Sequence, residues 1–146
     1  MRLAPLVLLL VASCATTLMK EDVRRQSDGW TVTFHELTDG PNAYGAGTYD
    51  VVPADGERFL WVILSVCNDT AQPRQFTFDS CGLDMGDKES LPLYVGLNFG
   101  TMASVTKTPE LAGGEEIKRK LVFGYPKGQM PQRLSCFGNE IPLRTR

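Results

Sequence analysis

Four cysteines, at positions 14, 67, 81 and 136, are the residues with the most chemistry to offer in this chain. A thiol can form a disulfide, carry a lipid, bind a metal or attack a substrate, and its setting selects among these. An even count suggests two bridges, provided that Cys14 belongs with the rest. His35 is the single histidine. On that count a His-containing catalytic triad and a multi-histidine metal site both read as excluded within one chain, and the residue reads as an exposed or half-buried position on a strand. Asp79, Asp84, Asp87 and Glu89 cluster about a turn. Their oxygens could hold calcium, but they lack the D-x-[DN]-x-[DN]-G order of a calcium loop, so a solvated turn is expected. Asp79 and Asp84 are also the only carboxylates placed for two-carboxylate hydrolysis, and so small a domain offers little cleft for it. Lys118, Arg119 and Lys120 would alternate between the faces of a strand and read as a solvent-facing patch. The expectation is no catalytic residue, no metal site and no cofactor.

Cys14 ends a leader. Met1-Arg2 is followed by "LAPLVLLLVAS", one positive charge and a short apolar core closing on small residues. This is the layout of a secretory signal, too short for a stable membrane span. Its end, Val11-Ala12-Ser13-Cys14, resembles the bacterial lipobox. That motif implies cleavage before Cys14, diacylation of its sulfur and acylation of the new amine. Two or more acyl chains anchor a protein stably, where one does so only marginally. By the sorting rule for such lipoproteins, an aspartate after the cysteine retains the protein at the inner membrane. Ala15 stands there, so the expected location is the cell envelope, at the outer membrane if the organism has one. The expected membrane partner is then the bilayer, reached through lipid on Cys14.

The chain of 146 residues has room for one domain, and its 42% apolar content is that of a globular protein. Its formal net charge is −2, and removing residues 1–13 takes away only Arg2, which makes the balance more acidic. That argues against nucleic acid, which requires a basic surface to displace counterions. No stretch after the leader is long and apolar enough for a transmembrane helix.

The elements must position whatever remains. Residues 14–29 read as the lipidated cysteine and a flexible tether, able to reach about 45–50 Å at about 3.3 Å per residue. The domain is expected over 30–146. "WTVTFHEL" (30–37) is a strand by its β-branched and aromatic content. "TDGPNAYGAGTYD" (38–50) reads as a loop. "GERFLWVILSVCND" (56–69) puts Leu60, Val62, Leu64 and Val66 on one face and Phe59, Trp61, Ile63, Ser65 and Cys67 on the other. A strand apolar on both sides is central and covered, and Trp61 is expected in a second core layer. "RQFTFDSCGLDM" reads as one strand ending at a Gly86-Asp87 turn. "LPLYVGL" reads as an edge strand because of Pro92. "EEIKRKLVFGY" puts Ile117, Leu121, Phe123 and Tyr125 on one face, "QRLSCFG" is the last strand, and "IPLRTR" is a short tail. Six or seven short strands with Gly/Pro turns indicate an all-β, immunoglobulin-like antiparallel β-sandwich.

Two stretches sharpen this. In "GERFLWVILSVCND" an apolar strand exits at Asn68; in "LAGGEEIKRKLVFGYPKG" (111–128) a Gly-Gly-Glu turn leads to Leu-Val-Phe and then Pro126. In order and spacing they resemble a large bacterial family of secreted and lipoprotein immunoglobulin-like domains of unknown function. That family is named after telomeric repeat-binding factor 2, although its members are extracytoplasmic, and its fold is similar to the mycobacterial immunoprotective extracellular antigen. The resemblance spans roughly residues 30–138. It departs from the usual Pro-Gly-Glu turn at Ala112-Gly113-Gly114-Glu115, and Cys81 and Cys136 lie outside the motif.

If Cys14 carries lipid, three cysteines remain in an oxidising compartment, which gives one bridge and one thiol. Cys81 and Cys136 should lie toward the same end of the sandwich and are the expected pair, with Cys67–Cys136 and Cys67–Cys81 as alternatives. The function expected is a non-enzymatic, membrane-anchored module that binds an envelope protein or glycan through loops 38–56 and 96–110. The alternative is a structural or assembly accessory of an envelope complex.

Overall fold

The computed structural model describes residues 15–46, 48–97 and 105–143; the leader and Cys14 lie outside them. The strands in chain order are β1 (Thr16–Met19), β2 (Val23–Ser27), β3 (Trp30–Asp39), β4 (Tyr44–Ala46), β5 (Tyr49–Val51), β6 (Glu57–Asn68) and β7 (Arg74–Gln75). A 3₁₀ turn (Phe78–Ser80) precedes β8 (Cys81–Asp84), β9 (Glu89–Ser90), β10 (Tyr94–Leu97), β11 (Glu110–Leu111), β12 (Glu116–Pro126), β13 (Arg133–Cys136) and β14 (Asn139–Pro142).

These strands make an antiparallel β-sandwich. One layer runs β1-β3-β6-β12-β10, with β2 also on β3; the other runs β14-β13-β8-β9, and β7 with β11 forms a short ribbon. The apolar period of two explains the layering. Leu60, Val62, Leu64 and Val66 of β6 and Leu121, Phe123 and Tyr125 of β12 join one buried core with Phe76, Phe78, Leu83, Leu134 and Ile141 from across the sandwich. The opposite face of β6 is covered too. Phe59 and Trp61 pack with Tyr94 and Val122, and the β4–β5 hairpin lays Tyr44 and Val51 over them. Trp61 therefore belongs to a second core layer, and its indole N–H donates to the Pro41 carbonyl at 2.7 Å. β10 is the edge that Pro92 foretold.

The tether is corrected. Residues 16–27 are not a free linker: Thr16 pairs with Asp39, Thr17 with Thr38 and Met19 with Leu37, and then Val23 to Ser27 pair with Phe34 to Trp30. β1 and β2 are one edge strand, interrupted at residues 20–22 and joined to β3 by a two-residue turn. Asp28 and Gly29 have φ of 52° and 74°, the left-handed pair that a hairpin turn of this length needs. Most of its side chains face solvent. It is held mainly by backbone pairing to β3, with Met19 and Val23 packed against the core, which leaves little apolar alternation to read. The domain therefore begins at about residue 15, not 30.

Three smaller expectations also change. Residues 74–84 are not one strand: Phe76 and Phe78 donate to the carbonyls of Pro109 and Lys107, and Thr77 caps the 3₁₀ turn that carries the chain across to the second layer. The loop 38–50 contains the β4–β5 hairpin. The tail contains β14, which pairs with β13 through a turn at Phe137-Gly138.

Candidate functional site

β3 carries a bulge between Phe34 and Glu36, where its register on β6 shifts. A bulge re-aims the side chain that it holds, and this one holds His35. The ring Nδ1 lies 2.7 Å from the Asp22 carboxylate and Nε2 lies 2.8 Å from the Ser65 hydroxyl. A carboxylate can only accept at Nδ1, so in the neutral ring Nε2 accepts from the hydroxyl. Asp22, His35 and Ser65 thus have the connectivity of a nucleophilic triad, which corrects the exclusion drawn from a single histidine, since such a triad needs only one. The signals sit 13 and 30 positions from His35, and only folding the supposed tether onto β3 brings Asp22 near. The surroundings do not complete such a site. Ser65 is 3% exposed, and its strand is paired on both sides, with Thr33 and with Lys118. An attacking hydroxyl needs an open approach and free oxyanion donors. What the trio does do is pin the break between β1 and β2 to the central strand.

The acidic cluster divides: Asp84, Asp87 and Glu89 share one groove, and Asp79 stands apart from it. Asp79 sits by the 3₁₀ turn beside Lys107 at 3.4 Å. Asp84 accepts from Arg133 Nε at 3.0 Å and Nη2 at 2.6 Å, and from the Gly86 N–H at 2.7 Å. The Arg133 hydrogen bond, then the Gly86 N–H, hold its carboxyl below the usual aspartate range. Glu89 lies over Gly82, where a Cβ would strike its side chain. Asp84, Asp87 and Glu89, with Lys88, Arg133 and Glu140, line an open groove of about 350 Å³. Among the described residues no three His, Cys, Asp or Glu side chains are grouped to hold a metal ion.

The basic run alternates as its strand requires. Lys118 is exposed, Lys120 lies 5.6 Å from the centre of the Trp61 ring, and Arg119 points to the other face, where burial lowers its guanidinium's pKa. Cys81 and Cys136 stand opposite each other on β8 and β13, fully buried and joined by a disulfide. Cys67 is a half-buried thiol. Burial first, then the charges of Asp69 and Glu116, push its pKa up, which favours the poorly nucleophilic protonated form.

The two stretches behind the family resemblance meet in one knot. Asn68 is fully buried. Its amide donates to the carbonyls of Gln72, Leu111 and Ala112 at 2.7, 3.1 and 3.3 Å, and its oxygen accepts from the Thr70 N–H and hydroxyl. Gly114 N–H donates to the Asn68 carbonyl, and Asn68 N–H donates to that of Glu115. Glu115 then accepts from the Ala112 N–H at 2.8 Å. A Cβ at Gly113 would meet the Ala71 backbone at 2.6 Å. These residues tie the β6 exit to the β12 entry; they are architecture rather than a binding site. Among the described residues no helix is long and apolar enough to cross a membrane.

No family model matches the chain, and no curated protein matches it. Solved structures do. A conserved hypothetical protein from Bacillus anthracis is similar at 16% identity and a TM-score of 0.61, over 90% of this chain and 96% of that one. An uncharacterised β-sandwich protein from Clostridium difficile is similar at 10% identity and a TM-score of 0.52, over 81% and 86%. The ycdA protein of Bacillus subtilis, whose description proposes a lipoprotein, is similar at 17% identity and a TM-score of 0.52; 73% of this chain covers 30% of it. At these identities the likeness is one of fold, and the fold is the antiparallel β-sandwich.

Proposed function

We propose that this chain is a lipid-anchored module of the bacterial cell envelope, held to the membrane through Cys14, which binds an envelope protein or glycan without catalysing a reaction. The observation that carries the reading is Val11-Ala12-Ser13-Cys14 at the end of a charged and then apolar leader. The buried Cys81–Cys136 bridge supports it, because such bonds persist in oxidising compartments. So does the fold likeness to a protein described as a proposed lipoprotein. Ala15 favours the outer membrane where one is present, and on this reading the chain is a member of the immunoglobulin-like family that it resembles. The covered Ser65 and the separation of Asp79 from the groove that holds Asp84 support a role without catalysis.

The test is metabolic labelling of the full chain with an alkyne fatty acid, followed by detergent phase separation. Wild type should be labelled and enter the detergent phase, while Cys14→Ser should be unlabelled and stay aqueous. A Cys14→Ser protein that partitions like wild type overturns the anchor. Turnover of an envelope polymer by the purified domain overturns the absence of catalysis.

A further inference from the structure

We infer that the end of the sandwich built from residues 40–42, 52–56 and 127–130 rests on the lipid surface. This depends on the lipidation of Cys14 proposed above and adds the orientation that follows from it. With residues 16–27 folded onto β3, the reach expected of a tether disappears. Ala15 alone separates Cys14 from β1, so the Cα of Thr16 lies within roughly 7 Å of that of Cys14. Thr16 pairs with Asp39, at the last residue of β3, and Ala15 packs on Gly40. The same end receives the turn before β6, where the Glu57 N–H donates to the Ala54 carbonyl, and the turn after β12, where the Lys127 N–H donates to that of Gly56. An anchor at position 14 therefore draws these turns toward the headgroups, together with the Gly86-Asp87 turn, which lies against Gln132 at the same end.

The side chains there suit that neighbour. Val52 leads into the first turn and is 64% exposed, and Met130 leaves the second and is 52% exposed. Pro41 and Ala54 are exposed beside them. Within residues 40–42, 52–56 and 127–130 the charged side chains are Asp55 and Lys127, which balance. The distal end carries the Asp28-Gly29 turn and the Asn68 knot. Twelve residues of β6 at about 3.3 Å each hold it roughly 35–40 Å above the surface. A partner protein or glycan would then meet the distal turns rather than residues 40–42 or 52–56.

The experiment uses the full, lipidated chain carrying Cys67→Ser, so that an added cysteine is the reactive thiol. An environment-sensitive fluorophore is placed at Met130→Cys or at Ala71→Cys, and each protein is floated on phosphatidylcholine–phosphatidylglycerol vesicles containing spin-labelled lipid. Flotation is read first. Failure to float overturns the anchor, and the inference with it. Among floating proteins, the probe at 130 should be quenched at least threefold more than the probe at 71, with a blue-shifted emission. Equal quenching at the two positions leaves the anchor standing and overturns the orientation.

Discussion

Replacing Asn68 by alanine removes five hydrogen bonds from a residue with no solvent contact. The losses are unequal. Gln72 is exposed, and Thr70 partly so; water can satisfy the Gln72 carbonyl and the Thr70 groups. The Leu111 carbonyl is buried, and that of Ala112 partly so. An orphaned buried acceptor costs about 1–3 kcal/mol and a bond exchanged for water about 1 kcal/mol or less. The expected loss is about 3 kcal/mol, or a fall in Tm of about 10 °C for a domain of this size. Urea denaturation with the disulfide intact measures it. Asn68→Asp adds a sharper comparison, because it keeps the acceptor and turns the donor into an oxygen facing three carbonyls. It should destabilise at least as much as alanine at pH 7. A loss under 1 kcal/mol for alanine, or an aspartate variant as stable as wild type, refutes the donor knot as the lock between β6 and β12.

Cys81→Ala with Cys136→Ala opens a loop of 55 residues; chain entropy puts the loss at about 4 kcal/mol, and the urea midpoint of the double variant, beside that of reduced wild type, checks it. Tyr125 is buried, and its hydroxyl donates to Asp39 at 2.7 Å, so desolvation first and this bond next raise its pKa well above the ordinary tyrosine value. A raised folded pKa gives stability that is present below the unfolded value near 10 and lost as pH rises through the folded one. Tyr125→Phe, on a Cys67→Ser background, should therefore show a smaller drop in urea midpoint between pH 8 and pH 11; an unchanged drop refutes the coupling.

Much of this fold was legible because burial on two faces leaves a two-residue period. Leu60 to Val66 and Phe59 with Trp61 read correctly as opposite faces of a covered strand, and Pro92 marked an edge. The edge strand at 16–27 did not read. Its residues are retained largely by backbone pairing; Met19 and Val23 pack on the core, but they stand four positions apart among charged residues in "MKEDVRRQ", without a two-residue alternation to reveal a strand, and the Asp28-Gly29 pair was the available signal, taken as the end of a tether rather than the middle of a hairpin. The split at residues 76–80 was hidden for the opposite reason. Phe76 and Phe78 are both core, and their alternation is what a continuous strand would show.

The sequence by itself determined the sandwich and its covered central strand, since these depend on local pattern. Tertiary structure alone decided that Asp22, His35 and Ser65 meet, and that one residue separates Cys14 from the first strand. Each of these is a matter of register between distant strands, and register is set by the packing of the whole core rather than by any one stretch.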